Sequence, residues 1–114
     1  MDETDTVTVG DFLSPGDMAT FLDGSERSVT RIGPTWIGRG RYLPGWRWSQ
    51  HVRPIHGRES TVHAGFILSG RMAVRGIDGT EVIVRSGEAF YAAPGHDAWV
   101  LGDEQCVALD FPLA

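Results

Sequence analysis

Lysine and asparagine are absent from this chain of 114 residues, and its ten fixed cations are all arginine. Both missing residues use A-rich codons, so a GC-rich genome explains the pattern, and arginine number alone carries no functional meaning. Cysteine occurs once, at Cys106, which excludes an internal disulfide and suits a reducing compartment. That residue lies in an apolar run near the C-terminus, where a buried, inert thiol is expected. No apolar run approaches the roughly 20 residues that cross a bilayer. The first residues, with Asp2, Glu3 and Asp5, have neither the basic region nor the apolar stretch of a secretory signal, so a cytoplasmic location is expected. A net charge of −5 argues against nucleic acid or an anionic membrane as partner. No Ser-His-Asp set, phosphate loop, nucleotide fingerprint or HExxH motif occurs.

What is present suffices for one domain with a single core. Residues 1–26 read as an extension. Within it Ser14-Pro15-Gly16-Asp17 predicts the start of a short helix, with Met18, Phe21 and Leu22 on one apolar side and Asp23-Gly24 as the stop. From Arg27 to the end, residues 27–114, short runs of Val, Ile, Trp, Phe and Tyr alternate with Gly, Pro and Asp. The pattern predicts strands near 27–32, 35–42, 46–53, 62–68, 71–76, 80–85, 89–92, 97–102 and 105–110. Ser69-Gly70, Asp78-Gly79, Ser86-Gly87 and Gly102-Asp103 supply turns. Many short, evenly spaced strands mean an all-β sandwich or barrel, with no room for βαβ crossovers.

The four histidines, His51, His56, His63 and His96, all lie beyond the first 50 residues. His51 and His63 belong to consecutive strand-like segments, and His96 enters a third after Pro94-Gly95. Imidazoles converging from different strands suit a divalent transition metal (Zn, Fe, Mn, Ni or Cu). Scattered surface histidines are the alternative.

Gly45 precedes His51 by six positions; then come His63 to Gly70, Asp78-Gly79, Gly87-Glu88 and Pro94-Gly95-His96. This order resembles the two motifs of the cupin superfamily, G-x5-H-x-H-x3/4-E-x6-G and G-x5-P-x-G-x2-H-x3-N, over about residues 40–110. The segments Pro44–Ser49 and Pro94–Trp99 resemble a subgroup of small bacterial single-domain cupins. The resemblance implies a jelly-roll β-barrel of two antiparallel sheets, here with the short helical extension. It places His51 on the first metal ligand, and His63, seven before Gly70, on the usual glutamate. Arg53 stands at the second histidine position and cannot bind a metal. Ala98 occupies the last histidine position, with His96 two residues earlier as the substitute. The longer stretch between His51 and His63 holds His56 and Glu59, either of which could fold back to the ion.

Strand parity would put Arg53 inside with His51, as an anchor for an acidic ligand or a partner for Glu59, and would turn Trp46 and Trp48 outward. With Trp99 also out of phase with His96, a homodimer is expected, ordinary packing between sheets being the other reading. Parity from His63 puts Gly65 and Ile67 inside; Ile67, Met72 and Tyr91 complete the expected ligand-binding set, with Asp97 and Asp110 as proton-transfer candidates. The expected ligand is a small organic, acidic metabolite. Two functions stay open: a metal-dependent enzyme (dioxygenase, isomerase, lyase or cyclase) and a non-catalytic small-molecule or metal-binding sensor. A structural dimer with a relic pocket is the third.

Overall fold

A computed structural model describes residues 6–12 and 18–113. Among the described residues nine strands form two antiparallel sheets: β1 (Met18–Thr20), β2 (Glu26–Ile32), β3 (Thr35–Tyr42), β4 (His63–Ser69), β5 (Arg71–Arg75), β6 (Glu81–Arg85), β7 (Ala89–Ala92), β8 (Asp97–Val100) and β9 (Cys106–Pro112). The larger sheet runs β1-β2-β3-β9-β4-β7 and the smaller β6-β5-β8, the two layers of the expected jelly roll. Among the described residues no helix is long and apolar enough to cross a membrane.

Two expectations are corrected. Met18–Thr20, assigned to a helix, pairs instead with Glu26–Ser28 as an edge strand; the proposed helix start at Ser14–Asp17 lies outside the described residues. Segment 46–53 is not a strand. It makes two helical turns, α1 (Trp48–His51) and α2 (Arg53–His56), which cross the open end of the barrel. Trp48 and Val52 are four apart, so one helical turn points both toward the core. Pro54 supports the start of α2 because its fixed φ suits the first turn. Gly57, at φ 68°, ends it in the left-handed conformation.

The core lies between the sheets. Tyr42, Trp46, Val52, Ile67, Met72, Val74, Val84, Val100 and Cys106 are buried there, each large apolar side chain contributing about 1.5–3 kcal/mol. Trp46 and Trp48, expected to face outward, pack inward; Trp46 is 4% exposed, 4.2 Å ring to ring from Tyr42. Trp99 does lie outside, but the guanidinium of Arg47 covers it at 4.2 Å and that of Arg75 at 5.6 Å. Trp46 and Trp48 therefore do not form the outward surface from which a homodimer was expected.

Directly opposed residues on paired strands share a face. Gly38 stands opposite Asp110, Gly40 opposite Arg27 and Ala108, and Gly65 opposite Phe90 and Asp110, all on the inner face of the larger sheet. A Cβ at any of these glycines would come within 3.0 Å of a neighbouring side chain: Asp110 and Arg27 at Gly38, the Tyr42 ring at Gly40, the Phe90 ring at Gly65. The glycines let those side chains lie flat on the sheet, which opens space above them. Cys106, on the same face, is fully buried, and burial pushes its thiol up to about 11. It is expected to stay unmodified by an aromatic disulfide reagent at pH 8 until the protein is unfolded in urea; stoichiometric reaction of the folded protein would contradict that burial.

Candidate ligand cavity

The space above the glycines is a cavity of about 500 Å³ between the sheets, roofed by α1, α2 and the segment that follows. Its walls are aromatic, from Phe21, Trp36, Tyr42, Trp46, Trp48 and Phe90. Arg27 and Asp110 meet on the floor over Gly38, Nε donating to Oδ2 at 2.9 Å and an Nη to Oδ1 at 2.8 Å. The guanidinium also lies 5.3 Å from the Trp36 ring. The Tyr42 phenol is driven upward in pKa, first by burial and then by the Asp110 charge, so it stays protonated.

His63 opens β4, opposite Ala92 and Pro112. His96 sits in the turn before β8, where Ser60 holds it: Gly95 N–H donates to the Ser60 carbonyl at 3.1 Å, and Ser60 Oγ donates to the His96 carbonyl at 2.6 Å. The two imidazoles meet edge to face, centroids 4.9 Å apart, with Phe90 against His63 at 5.8 Å. His96 Nδ1 lies 2.8 Å from the Ala93 carbonyl and His63 Nδ1 lies 3.2 Å from the Thr61 carbonyl. A carbonyl only accepts, so each neutral ring carries its proton on Nδ1 and keeps a bare lone pair on Nε2. His96 is 5% exposed; burial lowers its pKa, the Ala93 bond opposes, and His63 lowers it further, so it is neutral at pH 7.

The remaining expected site residues are dispersed. His51 ends α1 and is not on the cavity wall; its Nδ1 accepts the Arg47 N–H at 2.9 Å, closing its own helical turn. The three-strand arrangement of His51, His63 and His96 is thus replaced by a pair. Among the described residues no three His, Cys, Asp or Glu side chains gather where they could hold one metal ion, so the donors present do not fit the metal centre that the resemblance implied. Arg53 does not enter the barrel; half exposed on α2, it pairs with Glu59 at 2.8 Å. His56 and Glu59 line the cavity at its exposed rim, beside Arg58. Met72 lines it from the smaller sheet, whereas Ile67 is sealed in the core and Tyr91, 66% exposed, faces outward. Asp97 is occupied in holding α1 to β8.

Sequence reasoning missed Arg27, Trp36, Tyr42 and Ser60 as site residues. The Gly38-x-Gly40-x-Tyr42 alternation on one strand face was the available signal, since two glycines on an inner face mark a close approach.

The comparisons agree with this architecture. No curated protein matches the chain. Solved structures similar to it include a protein of unknown function from Acinetobacter sp. ADP1 (16% identity, TM-score 0.64, covering 84% of this chain and 89% of that one). A Cupin 2 conserved barrel domain protein from Salinispora arenicola is 14% identical, with TM-score 0.62, and covers 96% and 92%. The Drosophila melanogaster CENP-C cupin domain is 12% identical, with TM-score 0.59, and covers 86% and 72%. At these identities the likeness establishes the fold alone. The sequence model of the cupin domain matches residues 41–112, from the end of β3 through β9, and the chain accordingly belongs to the cupin family.

Proposed function

We propose that this cupin is a binding module that takes a small, flat organic molecule into its barrel cavity. The carrying observation is the cavity itself: about 500 Å³, aromatic on its walls, with His63, His96 and the Arg27–Asp110 pair turned into it. Small-molecule sites are of this size, mostly apolar, with a few convergent polar groups. A second feature supports the reading. Trp46 Nε1, on a residue that lines the cavity, is buried with no hydrogen-bond partner among the described residues. An unmet buried donor costs about 1–3 kcal/mol, which a ligand acceptor could recover.

Three tryptophans line the cavity, so binding is expected to change the intrinsic fluorescence saturably and to raise the melting temperature with ligand concentration. A panel of one- and two-ring aromatics would be titrated into the wild type and into Ala19→Trp. Ala19 is exposed and lies on the cavity margin, so a large side chain there should obstruct entry without disturbing the core. Saturable binding by the wild type, weakened in the variant, is the expected result. No saturable response from any compound, by fluorescence or calorimetry, would remove the proposal.

A further inference from the structure

We propose that the cavity selects a neutral aromatic hydrogen-bond donor, a phenol or an N–H heteroaromatic, whose proton is taken by the Nε2 lone pairs of His63 and His96. The inference rests on the binding reading above and names its ligand class.

The first ground is the tautomer of both rings. Each Nδ1 is turned to a backbone carbonyl, Ala93 for His96 and Thr61 for His63, so neither Nε2 carries hydrogen while the ring is neutral. Both rings line the cavity, 4.9 Å apart, each with Nε2 as its acceptor nitrogen, and an acceptor pair calls for a donor. The second ground is charge. The Arg27 guanidinium on the cavity floor is engaged twice by Asp110, and Arg53, the anion anchor expected from the sequence, is turned out to Glu59. A carboxylate brought to the histidines would set its oxygens against nitrogen lone pairs, and the Arg27–Asp110 pair, neutral as a whole, offers it no free cation. Arg58 stands on the exposed rim, where water screens it. The third ground is shape. Phe90, which lies against His63, and Trp36 and Trp48 elsewhere on the cavity wall offer flat surfaces, suited to a ring rather than to a branched chain.

The test uses a matched series on one scaffold: 2-naphthol, its methyl ether and 2-naphthoate, titrated by calorimetry at pH 7.5 into the wild type and into His63→Phe. His63 is only partly buried, so its replacement should leave the fold intact, which the melting temperature checks. The naphthol should bind about tenfold tighter than either analogue, the ratio worth one hydrogen bond. In His63→Phe the naphthol should lose its advantage, the naphthol-to-ether affinity ratio falling toward one. Nitrogen-15 spectra should show both imidazoles protonated on Nδ1, with Nε2 resonances moving when the naphthol is added. Equal binding of all three compounds, tightest binding of the naphthoate, or an Nε2–H tautomer would each overturn the ligand class while the cavity remained a binding site. Absence of binding by all three, together with a silent aromatic panel, would overturn both readings.

Discussion

Replacing Asp97 with alanine is expected to lower the melting temperature by roughly 10–20 °C, the effect of losing about 2–3 kcal/mol in a domain of this size. Its carboxylate accepts four hydrogen bonds. Oδ1 takes the Ser49 N–H at 3.0 Å and the Ala98 N–H at 2.9 Å; Oδ2 takes the Ser49 hydroxyl at 2.7 Å and Arg47 Nε at 3.0 Å. The turn α1 has no cap from its own N-cap residue, Arg47, so the Asp97 side chain, 48 positions beyond Ser49, does that work. Trp48 belongs to the same turn and lines the cavity, so the variant should also bind ligand more weakly. Asp97→Asn keeps an acceptor for the Ser49 N–H but loses the charge opposite Arg47, and should fall between.

The pH dependence follows. Burial alone would raise the Asp97 carboxyl, but the bonds from Ser49 and Arg47 outweigh it and hold the group below its ordinary 3.8. A depressed folded-state pKa means that the stabilisation is complete above the unfolded value and is lost as pH falls through the folded one. His96, held below 6.5, acts in the same direction at higher pH: stability falls as pH drops from 6.5 toward its folded value, because only the unfolded imidazole takes up the proton freely. Thermal melts of wild type and Asp97→Ala from pH 8 to pH 3 separate the two. The variant should retain the loss beginning near 6.5 and lack the part below about 4. A melting temperature for Asp97→Ala within a few degrees of wild type at pH 7 would contradict the anchoring role.

The strands from Arg71 onward were legible because local text decided them: turn dipeptides at Asp78-Gly79 and Ser86-Gly87 and a period of two between them. The place of His63 was legible through the resemblance, whose motif spacing counted back from Gly70 lands on it. Segment 46–53 was not, because it contains two periods at once. Trp46 and Trp48 alternate as in a strand, while Trp48 and Val52 repeat as in a helix. What selects the helix is Asp97, on a strand far along the chain, and the need to roof the barrel. Read with a period of two, the segment carries His51 and Arg53 into the barrel and turns Trp46 and Trp48 outward, so one local period displaces four residues. Arg27 and Asp110, 83 residues apart, meet only because β9 lies beside β3 and β3 beside β2. Nothing local announces such a pair.

The glycine floor gives the remaining large effect, and its sign should reverse with context. Gly40 lies in regular strand β3 and is not among the glycines with positive φ, so the backbone does not require glycine there. On propensity alone alanine would stabilise a strand interior by about 0.5–1 kcal/mol. The obstacle is Tyr42, two residues on, whose ring lies across Gly40 so closely that a Cβ would overlap three of its atoms. That ring is buried and touches Trp46, so it cannot rise without emptying the core beside the cavity. Gly40→Ala is therefore expected to destabilise the wild type by about 3–5 kcal/mol, the range for evicting a large aromatic from a core. In a Tyr42→Leu background the obstruction is gone, since a flexible aliphatic chain can take another rotamer. There the same substitution should be neutral or slightly stabilising. Urea unfolding of the four proteins completes a double-mutant cycle, with a coupling of at least about 2–3 kcal/mol expected. Additive costs would mean that Tyr42 does not rest on Gly40, and that the cavity floor owes its depth to something other than the missing side chain.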